Sequence, residues 1–450
     1  MKTKGASRIR LPGWLRKSTV PPGLYHYRGR DEFRRMALQL RIEADRKGIL
    51  AINAKTLLYL NETAAAHVYY FMQGMPTQKA VQRIRSAYRV SEETARRDHE
   101  KLIYTISTLA QTEEVCPISY LGVERVEPFT QELSAPIRMD LALTFRCQNS
   151  CLHCYTGGPH ETEEMHTESW KRVLDRMKKL GIFIATFTGG EPTLREDLPD
   201  LILYAQKIGI VTGLVTNGRK LKDKAFVATL EKSGLDFAQV TLESNDPKIH
   251  DEMTGSEGSW QETIEGIKNL IPTSIYTTTN TTLTKLNAAS FLETLDLLHG
   301  MGVKGFGCNG LIHSGKGTSF AQKHALQPEE LKGLLSRVQE KASHLSMSFL
   351  WYTPTRYCEI NPVNLGLGVK SCTASGMNMC IGPSGDVYPC QSYFQSLGKF
   401  LEREWDEIWN HPLSKQLRTR AYAPKNCEGC AELSVCGAGC PLELEDSKRW

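Results

Sequence analysis

A chain of 450 residues, 40% hydrophobic and 23% charged, has a globular composition, and its length calls for two or three domains that each bury a core. No apolar run reaches the roughly eighteen residues of a membrane span, and the basic start MKTKGASRIRLPGWLRKSTVPPG lacks the apolar stretch of a secretory signal, so a cytoplasmic protein with no membrane partner is expected. The net charge is only +5, and its excess near the start, at Arg28, Arg30, Arg34 and Arg35, reads as a solvated or peptide-facing arm over residues 1–37, with no nucleic-acid partner.

From residue 38 the short alternating runs around DRKG predict a hairpin. NETAAAHVYYFMQG predicts a helix capped by Asn61 and closed by Gly74. PTQKAVQRIRSAY and SEETARRDHEKLIYTISTLA predict two more, with Pro76 near the start of the first and Ser91 capping the second. A hairpin followed by three helices is winged-helix-like, a form that serves DNA, protein or neither. LNETAAAHVYYFMQG and YRVSEETARRDHEKL resemble the PqqD-like leader-recognition domain, placed at 38–115. The resemblance implies that a precursor peptide adds its leader as a strand to an exposed sheet edge. The alternative is a DNA-binding helix-turn-helix.

A polar linker (116–136) leads to residues 137–345, where strands and helices alternate. IRMDLALTF, IFIATFTGG, IVTGLVTNG, FAQVTLES, SIYTTTNTTLT and VKGFGCNGLI predict six strands, with helices such as TESWKRVLDRMKKLG between them. That order gives an α/β fold with a parallel sheet, open or barrel-like, whose site lies at the C-terminal ends of the strands.

RCQNSCLHCY follows the first strand and holds Cys147, Cys151 and Cys154 at C-x3-C-x2-C. Thiolates in a compact loop suit zinc or an iron-sulfur cluster. A structural zinc site brings a fourth ligand at finger or ribbon spacing. His153, adjacent to Cys154, is poorly placed for the same ion. A cubane held by three thiolates keeps one iron open to an external ligand. The motif resembles the radical S-adenosylmethionine (SAM) superfamily, which implies a partial (β/α)6 barrel and a [4Fe-4S] cluster whose open iron chelates SAM. Electron transfer then yields methionine and a 5'-deoxyadenosyl radical that abstracts hydrogen.

FTGGEPTL after the second strand resembles the family's GGEP loop, at Gly189, Gly190, Glu191 and Pro192. Its glycines are expected to admit the ligand and its carboxylate to accept from the SAM ammonium. After strand four relatives carry a Ser-x-Asp-Gly turn, then His-Asp and Arg-Gly. This chain has Thr241, Glu243, Ser244, His250 and Asp251, with Thr254 in place of the arginine. Glu243 and Ser244 are expected at the SAM ribose, with Asn287 and the Gly315-Lys316-Gly317 segment also fitting the family.

Seven of the thirteen cysteines lie between Cys372 and Cys440. CTASGMNMCIGPSGDVYPC and CEGCAELSVCGAGC admit two zinc ribbons, but they resemble the SPASM extension (346–450) of radical SAM enzymes. The resemblance implies one or two auxiliary [4Fe-4S] clusters: Cys372, Cys380, Cys390 and Cys440 for the first, Cys427, Cys430 and Cys436 for the second. The family pattern has one further cysteine, and none stands between Cys440 and Trp450, so the second cluster is expected to be open, otherwise ligated, or absent. Cys116, Cys308 and Cys358 fit no motif and read as ordinary core or surface thiols.

Together these resemblances imply an enzyme that modifies a ribosomally made peptide, by a thioether or other cross-link or by oxidation, with a reductant such as flavodoxin or ferredoxin. A maturase of a tetrapyrrole, another small molecule or a sulfatase is the second reading. An iron-sulfur DNA-binding regulator is the third, although a sensor has no use for a SAM site.

Overall fold

The computed structural model describes residues 20–29, 36–53, 56–111 and 133–447. Arg30, Arg34, Arg35, Cys116 and most of the linker lie outside the described residues. The chain divides into two compact units, Met1–Arg125 with Lys179–Gly181, and Val126–Lys178 with Ile182–Trp450.

In the first unit four antiparallel strands pair in chain order: β1 (Gly23–Arg28), β2 (Ala37–Ile42), β3 (Gly48–Ile52) and β4 (Thr56–Leu60). The predicted hairpin is β2–β3, with Leu40 opposite Leu50 and Arg46 taking φ 73° in the DRKG turn. Strand β1 lies inside the stretch read as a basic arm. Its tyrosines account for that, because Tyr25 and Tyr27 pack on Tyr69 and Phe71 with ring centroids 4.8 and 5.4 Å apart. Those partners belong to α1 (Glu62–Met72), where Asn61 accepts from the Ala64 N–H at 2.9 Å and Gly74 leaves the helix at φ 66°. Helix α2 (Thr77–Ala87) begins after Pro76, and Ser91 heads α3 (Glu92–Gln111) by accepting from the Thr94 N–H. Leu38, Leu40, Leu50, Val68, Ile84 and Ile106 form the core.

The six predicted strands open the second unit and run parallel in chain order: β5 (Arg138–Thr144), β6 (Ile184–Gly189), β7 (Val211–Thr216), β8 (Phe237–Thr241), β9 (Tyr276–Thr282) and β10 (Gly305–Asn309). Between them come α4 (Thr167–Lys179), α5 (Leu198–Lys207), α6 (Lys224–Ser233), α7 (Pro247–Thr254), α8 (Ser259–Leu270) and α9 (Phe291–Gly300), followed by α10 (Lys316–His324) and α11 (Pro328–His344). After Arg138 every residue of β5 is buried, and the strand is paired on both edges, with β6 and with a later strand. The sheet continues past the six. Strand β11 (Ser348–Trp351) pairs with β10, while β12 (Asn378–Ile381) pairs parallel to β5 and antiparallel to β13 (Val387–Tyr388). These added strands are two to four residues long, too short to show a period in sequence. The rest of the C-terminal region is loop with four short helices, α12 (Trp405–Trp409), α13 (Pro412–Arg418), α14 (Leu433–Cys436) and α15 (Pro441–Ser447).

Candidate active site and cluster sites

Strand β5 delivers the cysteine loop. At its end the Thr144 hydroxyl accepts from the Arg146 N–H and donates to Glu164, turning the chain out of the sheet. Backbone from three other elements then fixes the loop. Glu191 N–H donates to the Arg146 carbonyl, Ser150 and Leu152 N–H donate to the Thr254 and Met253 carbonyls at the end of α7, and Lys316 N–H donates to the Cys154 carbonyl at 2.9 Å. Two glycine requirements follow. A Cβ on Gly189, at φ 135°, would strike the Thr144 carbonyl, and one on Gly190 would strike the Arg146 carbonyl. The GGEP glycines therefore admit the cysteine loop itself, in addition to bordering the ligand space.

Cys147, Cys151 and Cys154 line one cavity of about 180 Å³ at the C-terminal ends of the strands, together with Gly189 and Gly190. Burial pushes the Cys147 thiol up to about 11. Burial, and then the neighbouring Glu243 carboxylate, pushes Cys151 well up. A metal reverses that balance, since a coordinated thiol gives up its proton outright. Cys147 sulfur accepts from the Asn149 N–H at 3.4 Å and faces the Asn217 amide nitrogen at 3.7 Å.

The carboxylates of the two motifs play opposite parts. Glu191 is fully buried, and its oxygens accept from the Thr193 N–H, the Thr193 and Thr216 hydroxyls and the Asn217 N–H at 2.6–3.1 Å. Those four donors belong to the protein and Glu191 does not line the cavity, so it is Glu243 that presents a carboxylate to the ligand space. Pro192 starts the following 3-10 turn and does not line the cavity. Glu243 does line it. Its Oε2 accepts from the Thr282 N–H, while Oε1 lies 3.1 Å from His153 Nε2 without hydrogen-bond geometry and has no hydrogen-bond partner. A buried carboxylate oxygen left open beside the cavity fits a hydroxyl- or ammonium-bearing ligand. Asn280 Oδ1, also in the cavity wall, is open in the same way.

Ser244 and Asn287 sit behind the wall. The Ser244 hydroxyl accepts from the Asp246 N–H, and the Asn287 amide donates to the Glu243 and Thr282 carbonyls and accepts from the Thr284 N–H. Both shape the turn that aims Glu243, and neither reaches the cavity. His250 and Asp251 are structural too. His250 Nδ1 accepts from the Glu243 N–H, and Asp251 caps α8 through the Gly258 and Trp260 N–H groups. Asn217, Gln239, Asn280 and Asn309 also line the cavity, and sequence reading missed them as site residues. Their signal was a polar amide within or just after a strand of the sheet.

In the C-terminal region a hairpin brings Cys380 and Cys390 together. The β12–β13 register pairs Cys380 with Tyr388, two residues before Cys390, and the turn closes with the Gly385 N–H on the Gly382 carbonyl and φ 86° at Gly385. Cys390, raised to about 12 by burial, is next influenced by Cys372. Cys440, also raised by burial, feels Cys372 and Cys390, while its sulfur accepts from the Leu442 and Glu443 N–H groups of α15. Backbone N–H groups are directed at each of the four thiols expected for the first auxiliary site, from Ala374 to Cys372, Ala142 to Cys380, Ser392 and Tyr393 to Cys390, and Leu442 and Glu443 to Cys440.

Comparison with known proteins agrees with this geometry. A profile of the radical SAM superfamily matches residues 141–298, and the SPASM iron-sulfur cluster-binding domain matches 372–431. The chain carries a radical SAM domain followed by a SPASM domain. These domains imply [4Fe-4S] clusters and SAM as cofactors, and the thiol-lined cavity with its open carboxylate oxygen fits them. The PqqA peptide cyclase of Granulibacter bethesdensis is 26% identical over 68% of this chain and 83% of its own length. The Fe-coproporphyrin III synthase of Methanosarcina barkeri is likewise 26% identical, over 67% and 82%. Streptococcus suis SuiB bound to SAM has the same fold at TM-score 0.66 and 19% identity, covering 91% of this chain and 95% of SuiB. The radical SAM and SPASM domains account for most of the second unit, and the SuiB likeness extends beyond them over most of the chain.

Proposed function

We propose that this radical SAM enzyme modifies a ribosomally synthesised precursor peptide, whose leader is held by the N-terminal unit while the core segment enters the strand-end cavity. When bound, the cluster supplies the electron that cleaves SAM. The protein's own part is to hold SAM: Cys147, Cys151 and Cys154 as cluster ligands, Glu243 as acceptor for SAM hydroxyls or ammonium, and Gly189 and Gly190 as the close backbone wall.

The observation that carries the peptide reading is the extent of the fold likeness. The peptide cyclase and the porphyrin synthase match two thirds of this chain and do not separate the two substrate classes. SuiB matches nine tenths of it, and its fold is also known with the precursor peptide SuiA bound. Sheet order β1–β4 leaves one side of β1 and one side of β4 unpaired by any described strand, as leader addition requires. No helix among the described residues is long and apolar enough to cross a membrane.

The test is anaerobic incubation of the reduced enzyme and SAM with the short peptide encoded beside it, read by 5'-deoxyadenosine release and peptide mass. Flavodoxin or ferredoxin is the expected reductant. Leader affinity lost on deleting residues 23–111, with SAM cleavage retained, supports the reading. Formation of Fe-coproporphyrin III from a tetrapyrrole precursor, without any peptide mass change, reverses it.

A further inference from the structure

Three cysteines of the CEGCAELSVCGAGC segment, Cys427, Cys430 and Cys436, do not take part in the first auxiliary site, and a cubane calls for four ligands. The fold supplies another thiol from far upstream. Residues 354–358 leave β11 and run against the turn that follows α14. There the Tyr357 N–H donates to Cys436 sulfur at 3.3 Å, and that sulfur also lies 3.9 Å from the Thr355 carbonyl. A Cβ on Gly439, at φ 79°, would stand 3.0 Å from Arg356 Cγ and 3.5 Å from the Pro354 carbonyl oxygen, so the two segments are in backbone contact. The residue after Tyr357 is Cys358, exposed and free, in a segment held by two bonds onto the Arg356 carbonyl, from the Glu359 and Ile360 N–H groups. Read as ordinary from the sequence, Cys358 adjoins the residue whose N–H is bonded to the sulfur of Cys436, the last of that three-cysteine group.

We propose that Cys358 is the fourth thiolate of the second auxiliary cluster, completing with Cys427, Cys430 and Cys436 a [4Fe-4S] site that has no open iron. An exposed thiol fixed by its own turn can move onto a cluster with little rearrangement. A fully ligated cluster binds no substrate sulfur, so its chemistry is electron transfer. Any substrate thiolate is then held elsewhere. The inference needs the SPASM clusters but does not depend on the substrate being a peptide.

The experiment starts from the chain with Cys147, Cys151 and Cys154 changed to Ala, which removes the SAM cluster. After anaerobic reconstitution about eight irons and eight sulfides per chain are expected for two cubanes. Adding Cys358→Ala should expose one iron of the second cluster. Mild oxidation should then produce a three-iron paramagnetic signal absent from the parent, with a fall in iron. Identical iron content and spectra in the two proteins overturn the assignment. So do about four irons in the parent, or one zinc in place of the second cluster. A measurement without substitution guards against misfolding: alkylation of Cys358, mapped by mass spectrometry, should be about tenfold or more slower in the wild-type holoenzyme than after chelation. Equal rates in the two states would also overturn it.

Discussion

The strand-end cavity and the C-terminal cysteine region both bury thiols, but they surround them differently. In the cavity three thiols share a polar space with an open Glu243 oxygen and an open Asn280 oxygen. Cys390 and Cys440 instead receive backbone N–H groups, from Ser392 and Tyr393 and from Leu442 and Glu443. The first arrangement leaves coordination and hydrogen bonding unfinished, as a site that must admit a cosubstrate requires. The second surrounds Cys390 and Cys440 with protein, which suits a cluster that passes electrons, whereas Cys430 and Cys358 of the same region are exposed.

The sharpest way to break that contrast is to remove the thiols of the open site. Changing Cys147, Cys151 or Cys154 to Ala should abolish 5'-deoxyadenosine formation while the auxiliary iron remains, as read by chromatography and iron analysis. Undiminished product would show that the cavity is not where SAM is cleaved.

Glu243 and Glu191 offer the next test, because two buried carboxylates a few residues from the same cavity should fail in different ways. Glu243→Gln should raise the SAM concentration for half-maximal cleavage about tenfold or more, the equivalent of the ~1.5–3 kcal/mol of a hydrogen bond to a charged group, with Tm little changed. Glu191→Gln keeps one oxygen for the Thr193 and Thr216 donors but turns an amide N–H towards the Asn217 N–H, at a cost of about 1–3 kcal/mol, and should lower Tm by a few degrees. Its effect on SAM affinity should be the smaller of the two. Thermal melts beside SAM titrations read both, and exchanged outcomes would return Glu191 to the ligand.

A subtler change is expected at Asn217. Its amide faces Cys147 sulfur, and a donor there stabilises the reduced, more negative cluster. Asn217→Ala should therefore make the midpoint potential of the SAM cluster more negative and leave the auxiliary potentials in place, by redox titration.

The smallest effect lies in the first unit, which carries none of this chemistry. Buried His67, with Nδ1 3.1 Å from His99 Nδ1, is held down to about 4 from 6.5, first by burial and then by its neighbour. The unfolded chain therefore takes up the proton first. Stability contributed by neutral His67 is present above pH 6.5 and is lost as pH falls towards about 4. His67→Gln should flatten that slope in melts followed between pH 7 and 4.

The strands that build the cavity were legible because each is a short β-branched or apolar run bounded by turn signals, even the polar YTTTNTT of β9, and the cysteine spacings were legible because a cluster tolerates little variation in its loop. Which way a side chain faces at a strand end was not. Glu191 and Glu243 both read as ligand carboxylates, and only the donors around Glu191 reveal its structural role. Asn287 looked like a ligand because it follows a strand end, yet its amide is used up on two carbonyls and one N–H. Cys358 was illegible for another reason. Its partners lie 69 to 78 positions later in the chain, as the numbers of Cys427 and Cys436 give, and no spacing rule joins them.

Backbone bonds from the GGEP loop, from the end of α7 and from the Gly315–Lys316 turn hold the cysteine loop by its peptide groups and leave its sulfurs out. A zinc finger waits for its ion before it folds, whereas here backbone bonds from loops at the strand ends hold the cysteine loop. The enzyme stripped of iron by air or chelator should then keep its native far-ultraviolet circular dichroism and accept a new cluster without refolding, so that damage and repair at this centre become reversible chemistry on a standing scaffold.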